Sequence, residues 1–398
     1  MGIPGQVPPP WQAPSEVERK LYEAKVRGDW AAYFDVLAEA DLFHAISRQY
    51  VDDNPGRVVS RTYWEPRMGV ECYAYLTQGM LPAPVEDPVF FLERLSDAAR
   101  HWPRPDAWLA VNPGTPCEAF FPATPAHRAV WEEHARKAPE DPPRSLRTLW
   151  VGGPLQGPVA HGLACGAFLM VNNNELWNAV AHHGSGYGTE RRSLERWWGV
   201  TSRAKWLEYV EDLLQGRMVS STWEFVLRVR RSIAREYGGP VEVAHWREIT
   251  ERVLRHNAVE SGAEPGDPSI AAEVGRLQQL IGRITRYEAR FRADGLLADG
   301  KFVRSVLSWD YGRASAMARW GVAARFGSVA EAEAAVVRAG RVSQATYNSW
   351  HDFAAGYALG RCLHFDEEEF GNWYQGVLEA YRLLVTDPQS PWLNIPWK

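Results

Sequence analysis

APEDPPRSLRTLWVGGPLQGPVA, residues 138–160, divides the sequence into two halves of different character. The stretch contains five prolines and three glycines, a composition typical of segments between domains. Strand-like and helical patterns alternate before it, and helical patterns follow it almost to the C-terminus. We therefore predict an α+β N-terminal module followed by an all-α helical C-terminal domain. Residues 15–145 form the first module, 146–160 the linker and 161–398 the second.

The N-terminal half mixes both kinds of element. Its Pro/Gly-rich residues 1–14 are predicted to be extended or disordered. Ser15 and Glu18 form a capping-box pattern that predicts the start of the first helix. Further elements are predicted as a helix over 30–45, strands over 57–64 and 70–76, a helix over 88–101, and strands over 108–112 and 117–121.

The C-terminal half has helical periodicity and well-placed capping residues. Ser202, Ser328 and Asp366 are predicted N-caps, and glycines at 216, 327 and 340 follow helical runs. The patterns predict helices over 161–182, 192–198, 202–215, 221–237, 243–256, 268–290, 302–309, 310–326, 328–339, 344–348, 349–363 and 366–385.

Composition disfavours several classes of protein. The net charge of the 398 residues is −5. Residues 1–150 contain 16 basic and 21 acidic residues and so account for all of it, which leaves the rest of the chain neutral. Neither half therefore has the basic excess that binding to nucleic acid requires. The four cysteines are too far apart for a CxxC motif. We expect no membrane span and no leader sequence, and hence a cytoplasmic protein.

Two segments resemble known families. Residues 108–122, WLAVNPGTPCEAFFP, resemble the central motif of the SseB N-terminal domain family, in which a strand leads through Asn-Pro-Gly into a second strand. The segment LYEAKVRGD, residues 21–29, also resembles the beginning of that domain. This resemblance covers about residues 18–125, and it implies a link to bacterial secretion or toxin defence.

The C-terminal half resembles the DUF1266 (YbeU/YbeR-like) family over about residues 160–398. The motifs, in order, are Trp198-Gly-Val, Ser308-Trp309-Asp310-Tyr-Gly-Arg313, Arg319-Trp320-Gly321, Ser349-Trp350-His-Asp-Phe353 with Gly360-Arg361, and Ser390-Pro-Trp392. Five of their tryptophans, at 198, 309, 320, 350 and 392, are predicted structural residues of the helical core. The resemblance implies an all-helical fold and no known activity.

Asp310, Arg313 and Arg361 are predicted to form one polar network, with Ser349 as a neighbour. Asp310 and Arg313 are three residues apart, so on a helix they share a face and can pair. One interpretation is a buried ion network that fixes how the helices pack. The other is a polar pocket for an anionic ligand, because one carboxylate cannot neutralise two guanidinium groups.

The histidine and cysteine motifs give little indication of a metal site or a nucleophile. His182 and His183 are adjacent and would point in different directions on a helix, which favours a helix C-terminus over a metal site. The cysteines are predicted to be buried structural thiols, since no base is positioned beside them. We predict no catalytic residue, no cofactor and no metal.

Two functions therefore stay open. The first is a non-enzymatic protein-interaction or regulatory protein with a protein partner, linked by the SseB resemblance to secretion or toxin defence. The alternative is a small-ligand sensor or enzyme that uses a polar pocket around Asp310, Arg313 and Arg361.

Overall fold

A computed structural model describes residues 11–54, 61–81, 88–138, 144–150, 153–180, 187–264 and 266–398. The chain packs as two compact units. The first consists of described residues within 1–143, 147–154 and 181–199, and the second of those within 144–146, 155–180 and 200–398. The units thus interleave along the chain, an arrangement that the sequence did not predict. The linker at 146–160 stays a prediction.

The first unit contains a mixed sheet with helices. Its elements up to residue 137 are α1 (Glu16–Arg27), α2 (Trp30–Glu39), β1 (Leu42–Ser47), α3 (Arg48–Asp53), β2 (Thr62–Glu65), β3 (Val70–Thr77), β4 (Pro88–Glu93), α4 (Leu95–His101), β5 (Trp108–Val111), β6 (Ala119–Pro122) and α5 (Pro125–Lys137). The strand order is β4-β1-β3-β5-β6, and β2 also pairs with β3. The pair β3–β5 is parallel, whereas the other strand pairs are antiparallel.

Beyond residue 137, the elements in the part of the chain that the structure describes are all helices. They are α6 (Gly157–Cys165), α7 (Ala167–Asn173), α8 (Tyr187–Trp198), α9 (Arg203–Leu214), α10 (Ser221–Tyr237), α11 (Val243–Glu260), α12 (Pro268–Ala293), α13 (Leu307–Ala323), α14 (Val329–Thr346), α15 (Trp350–Phe365), α16 (Asn372–Thr386) and α17 (Pro391–Asn394). Helix α8 belongs to the first unit and the other eleven to the second. The predicted α+β module followed by a helical domain is confirmed.

The predicted helix over 88–101 is wrong in its first half. Residues 88–93 form strand β4, in which Val89 pairs with Ile46 and Phe91 with His44 of β1. The helix α4 begins only at Leu95. A short apolar run such as VFFL fits either a strand or a helix. Here it is a strand because its backbone pairs with that of β1.

Helix α13 forms the core of the second unit. Most of its residues are buried, and it contacts α6, α7, α9, α14 and α15. Small side chains make this central position possible. At Gly321, for example, an added Cβ would overlap the ring of Trp206, which donates Nε1–H to the carbonyl of Met317 at 2.9 Å.

Several predicted helices differ from the structure. Residues 42–45 of the predicted helix 30–45 lie in strand β1, and the predicted helices 328–339 and 344–348 are the single helix α14. The predicted helix 161–182 is two helices, α6 and α7, which meet at Gly166. The predicted pair 302–309 and 310–326 is the single helix α13, which begins at Leu307. Asp366 ends α15 instead of capping the next helix, and its carboxylate accepts hydrogen bonds from the amides of Phe370 and Gly371, both at 3.1 Å.

The C-terminal segment packs against the helices of its own unit. Trp392 and Trp397 are both buried. Trp392 donates Nε1–H to the carbonyl of Ala164 at 3.0 Å, and Trp397 donates to that of Tyr347 at 3.0 Å. Each large ring therefore buries its apolar surface and satisfies its one donor.

Several predicted features lie partly outside the described residues. These are residues 1–10 of the segment predicted to be extended or disordered, residues 57–60 of the predicted strand 57–64, residues 151–152 of the predicted linker and residues 181–182 of the predicted helix 161–182. Among the described residues, no helix combines the length and apolar character that a membrane crossing needs.

Candidate functional site

Asp310 is fully buried in the first turn of α13 and joins that helix to the loop between α9 and α10. Its Oδ2 accepts hydrogen bonds from the backbone amides of Met218 and Val219, each at 3.0 Å. Its Oδ1 accepts a hydrogen bond from Arg313, three residues further along the helix. The structure therefore brings Asp310 and Arg313 together, and both carboxylate oxygens have internal partners.

Arg313 lies mostly buried beside Trp309. Its guanidinium carbon is 3.6 Å from the centroid of the Trp309 ring, and its Nε donates to the Trp309 carbonyl at 3.2 Å. Burial raises the pKa of Asp310 and lowers the pKa of Arg313, while the attraction between the two charges opposes both shifts. The pair is thus a charged contact inside the helical core, where breaking it would leave a buried charge.

Arg361 lies next to this pair. Its charge lowers the pKa of Arg313, and its guanidinium carbon is 5.7 Å from the ring centroid of Phe365 and 5.2 Å from that of Trp373. The preceding Gly360 lies against Trp309, where an added Cβ would be 2.8 Å from the tryptophan Cβ. The Gly-Arg motif therefore allows α15 to approach α13 closely and then places a cation beside Arg313.

Ser349 is separate from the network that we predicted it to neighbour. It is the N-cap of α15, where its Oγ accepts a hydrogen bond from the amide of Asp352 at 3.1 Å. Twelve residues separate Ser349 from Arg361, about 18 Å along the helix axis. Capping explains the serine without any role in the polar network.

The signature tryptophans have structural surroundings. Trp350 stacks on Trp392 with centroids 5.5 Å apart and donates Nε1–H to the Ile395 carbonyl at 2.9 Å. Trp320 donates Nε1–H to the carboxylate of Glu175 at 3.2 Å. Trp198 is half-buried at the end of α8. Because α8 is part of the first unit, this tryptophan belongs to that unit and not to the helical one.

All four cysteines are buried free thiols. Burial raises the pKa of each thiol, to about 11 for Cys72 and about 12 for Cys165. Such thiols are protonated at neutral pH and are poor nucleophiles. Within the described residues no cluster of His, Cys, Asp and Glu could hold a metal ion. His182 and His183 lie outside those residues.

A cleft of about 930 Å³ opens elsewhere in the helical unit. Three parts of the chain supply most of its lining: the end of α10 with the turn after it, the segment 295–304, and the beginning of α15. Its charged residues are mainly cationic. They are Arg231, Arg235, Arg292, Lys301 and Arg304, against Asp299 and Asp352.

A buried ion pair fixes the segment that carries two of these cations. Arg230 of α10 and Glu288 of α12 pair through two hydrogen bonds of 2.9 and 2.6 Å. The same two side chains bond both polar groups of the Val303 backbone, at 3.0 and 2.7 Å. Because Val303 is held in this way, its neighbour Arg304 is positioned at the cleft.

Two consecutive residues of α15 connect to the other parts of the cleft. The His351 ring lies 3.0 Å from the hydroxyl of Tyr381, which donates to the Gly295 carbonyl at 3.2 Å. Asp352 pairs with the Nε of Arg304 at 3.1 Å. Both ends of the 295–304 segment are therefore joined to the first turn of α15.

The sequence predictions missed this cleft. Its cations are spread over more than 70 residues, from Arg231 to Arg304, so no local motif contains them. The available signal was the glycine-rich turns, Gly238-Gly239-Pro240 and the segment GLLADGK at 295–301, each close to arginines. Only folding shows that these turns meet.

Comparison with known proteins assigns the second half of the chain. The model of the DUF1266 family, described as a protein of unknown function, matches residues 193–397. It begins later than residue 160, where we placed the start of the resemblance. No curated protein and no solved structure matches the chain. Since the matched residues make up more than half of the sequence, the chain belongs to the DUF1266 family.

Proposed function

We propose that this is a non-enzymatic regulatory protein whose helical unit binds a small anionic ligand in the basic cleft. The observation that carries the proposal is the set of five cationic side chains around one cleft of about 930 Å³. Pockets of about 300–1,000 Å³ are typical of sites for small molecules. Two carboxylates in the lining leave an excess of positive charge that an anion would neutralise.

The cleft replaces Asp310, Arg313 and Arg361 as the ligand site of our alternative hypothesis. None of these three residues lines it. Asp310 already accepts three hydrogen bonds from the protein, so a ligand would have to displace Arg313 or a backbone amide. Their arrangement supports the other interpretation, an ion network that fixes the packing of α13.

The N-terminal unit fits an interaction role within the same proposal. Its order of strand β5, turn Asn112-Pro113-Gly114 and strand β6 is the order expected of an SseB N-terminal domain. That resemblance supports a protein partner and a link to bacterial secretion or toxin defence. A cytoplasmic location is part of the same proposal and is supported by the four free, buried cysteines, which suit a reducing compartment.

Isothermal titration calorimetry with inorganic pyrophosphate tests the binding proposal. Wild-type protein should bind this probe, and the double variant Arg235→Ala/Lys301→Ala should bind about tenfold or more weakly, since charged hydrogen bonds are lost. A second double variant, Arg252→Ala/Arg276→Ala, removes two exposed cations of α11 and α12 outside the cleft and should bind like wild type. Equal affinities for all three proteins, or no binding by wild type, would refute the proposal.

A further inference from the structure

We propose that the ligand is a phosphorylated organic molecule of about nucleotide size, with its phosphate at the arginines of α10 and its organic part along the 295–304 segment. This proposal rests on the function proposed above and adds the chemical class of the ligand. Two features of the cleft support it: the kind and placement of its cations, and the apolar surface between them.

Arginines dominate one end of the cleft. Arg231 and Arg235 are four residues apart on α10, so their side chains lie on the same face, one turn apart. Arg231 donates to the carbonyl of Arg304 at 2.6 Å, which places the Arg304 backbone beside it. Guanidinium groups donate pairs of parallel hydrogen bonds that match phosphate oxygens.

Some of these cations are fixed and others are available. Arg231 pairs with Glu224 at 2.8 Å and Arg304 pairs with Asp352 at 3.1 Å, so both are held in place. By contrast, the exposed side chains of Arg235 and Lys301 form no ion pair with any residue that the structure describes. A phosphate carrying close to two negative charges at neutral pH would suit this combination of fixed and unpaired cations.

The rest of the lining includes apolar surface that an inorganic anion would leave uncovered. Phe302, which is half-buried, and Ala298, which is exposed, present this surface, whereas Leu296, Leu297 and Tyr381 are themselves buried and contribute little to it. The guanidinium carbon of Arg230 is 4.7 Å from the Phe302 ring centroid and holds that ring in place. The cleft of about 930 Å³ lies within the range of about 300–1,000 Å³ that is typical of sites for organic ligands, so it has room for a molecule larger than a phosphate. An organic part would bury this apolar surface.

The test is a thermal-shift screen of the full chain against paired ligands. Nucleoside monophosphates, sugar phosphates and phosphorylated amino acids are each compared with their dephosphorylated forms at constant ionic strength. Inorganic phosphate and citrate complete the panel. We expect at least one phosphorylated compound to raise the melting temperature of the protein. Its effect should exceed that of its dephosphorylated form, and also those of inorganic phosphate and citrate. Titration calorimetry then gives its Kd.

Variants locate the effect. Arg235→Ala should weaken binding of that compound by about tenfold. Phe302→Leu, which removes the aromatic ring but keeps an apolar side chain, should weaken binding of the organic compound more than it weakens binding of pyrophosphate. The exposed control Arg252→Ala should change neither. If no phosphorylated compound exceeds its dephosphorylated form, or if inorganic phosphate is as effective as any of them, the ligand class is wrong. Pyrophosphate binding that persists in that case would leave the anion-binding function intact, whereas its absence would remove both.

Discussion

Asp310 shows how one buried carboxylate can organise distant parts of a chain. It lies on α13, yet it accepts hydrogen bonds from the backbone amides of Met218 and Val219, about ninety residues earlier in the chain. Its third partner, Arg313, is on the same helix. A buried charge of this kind costs free energy to desolvate, and its hydrogen bonds repay that cost only in the correctly folded arrangement.

Replacing Asp310 by alanine should therefore destabilise the helical unit strongly. The change removes the acceptor of two amides and the carboxylate that bonds the mostly buried Arg313, and breaking a buried ion pair in this way costs about 3–5 kcal/mol. Urea unfolding followed by circular dichroism measures the loss, and Asp310→Asn, which keeps one acceptor oxygen, should lose less.

The matched control is Asp299→Ala. This aspartate is exposed, so its removal should change the free energy of unfolding by less than about 0.5 kcal/mol. Similar unfolding curves for Asp310→Ala and Asp299→Ala would show that the buried pair does not stabilise the fold.

At this scale the sequence predicts local partners and misses distant ones. The spacing of three residues predicts the contact between Asp310 and Arg313, because helix geometry alone places them together. The sequence does not predict that Asp310 accepts hydrogen bonds from the amides at 218–219, or that Ser349 lies apart from the polar network. Both facts depend on how helices from different parts of the chain pack.

At the scale of elements, helices α6 and α14 cross in close contact. Gly162 of α6 faces the backbone of Val336 on α14, so that an added Cβ would overlap the Val336 carbonyl. Gly340, one turn later on α14, would with a Cβ come within 3.2 Å of the Gly162 Cα. Glycines on both helices thus permit the backbones to approach.

Alanine at Gly162 should force these helices apart. Overpacking of a tight core position costs about 1–3 kcal/mol, and the neighbouring atom here is backbone that cannot rotate away. Gly275→Ala is the matched control, because it lies in the interior of α12 with open space around it. There alanine should stabilise the protein by about 0.5–1 kcal/mol.

Thermal unfolding of both glycine variants tests this contrast. The melting temperature should fall for Gly162→Ala and rise for Gly275→Ala. A fall of equal size for both would contradict the account, because the close crossing of α6 and α14 would then not explain the loss at Gly162.

Element types were predictable where patterns are long, and less so where they are short. Long helices such as α10 and α12 follow from periodicity and capping residues. Helix α14 begins at its predicted capping box but continues through Gly340, where its end was predicted, to Thr346. Residues 88–93 are strand because β1 supplies partners, and 302–306 are not helical because Val303 bonds the Arg230–Glu288 pair. Both outcomes depend on tertiary contacts that local sequence does not contain.

At the scale of the whole helical unit, the C-terminal segment completes the core. Trp350, Trp392 and Trp397 form one aromatic group, with Trp350 centroids 5.5 Å from Trp392 and 4.8 Å from Trp397. His161 of α6 contacts the same group, at 4.8 Å from Trp350. The last residues of the chain therefore seal apolar surface that belongs to helices far away in sequence.

Deleting residues 387–398 should expose that surface. We expect a lower melting temperature, stronger binding of an anilinonaphthalene sulfonate dye and a tendency to associate. Within the segment, Trp392→Ala should cost about 3–5 kcal/mol, while alanine at the exposed Leu393 should have little effect. A truncated protein that stays monomeric and as stable as wild type would refute this role.

The order of the two folds is predictable from the sequence, whereas the cleft is not. Composition and periodicity distinguish the mixed N-terminal half from the helical one. The cleft forms from the end of α10, the segment after α12 and the beginning of α15, and only the packing of these helices brings their cations together.

Hydrogen–deuterium exchange of the full chain, with and without pyrophosphate, tests the central claim about this cleft most directly. If the anion binds there, exchange should slow in peptides covering 231–240, 292–304 and 348–352, and should be unchanged in those covering 308–313 and 357–361. No protection in the first three segments, or protection confined to the last two, would contradict the account.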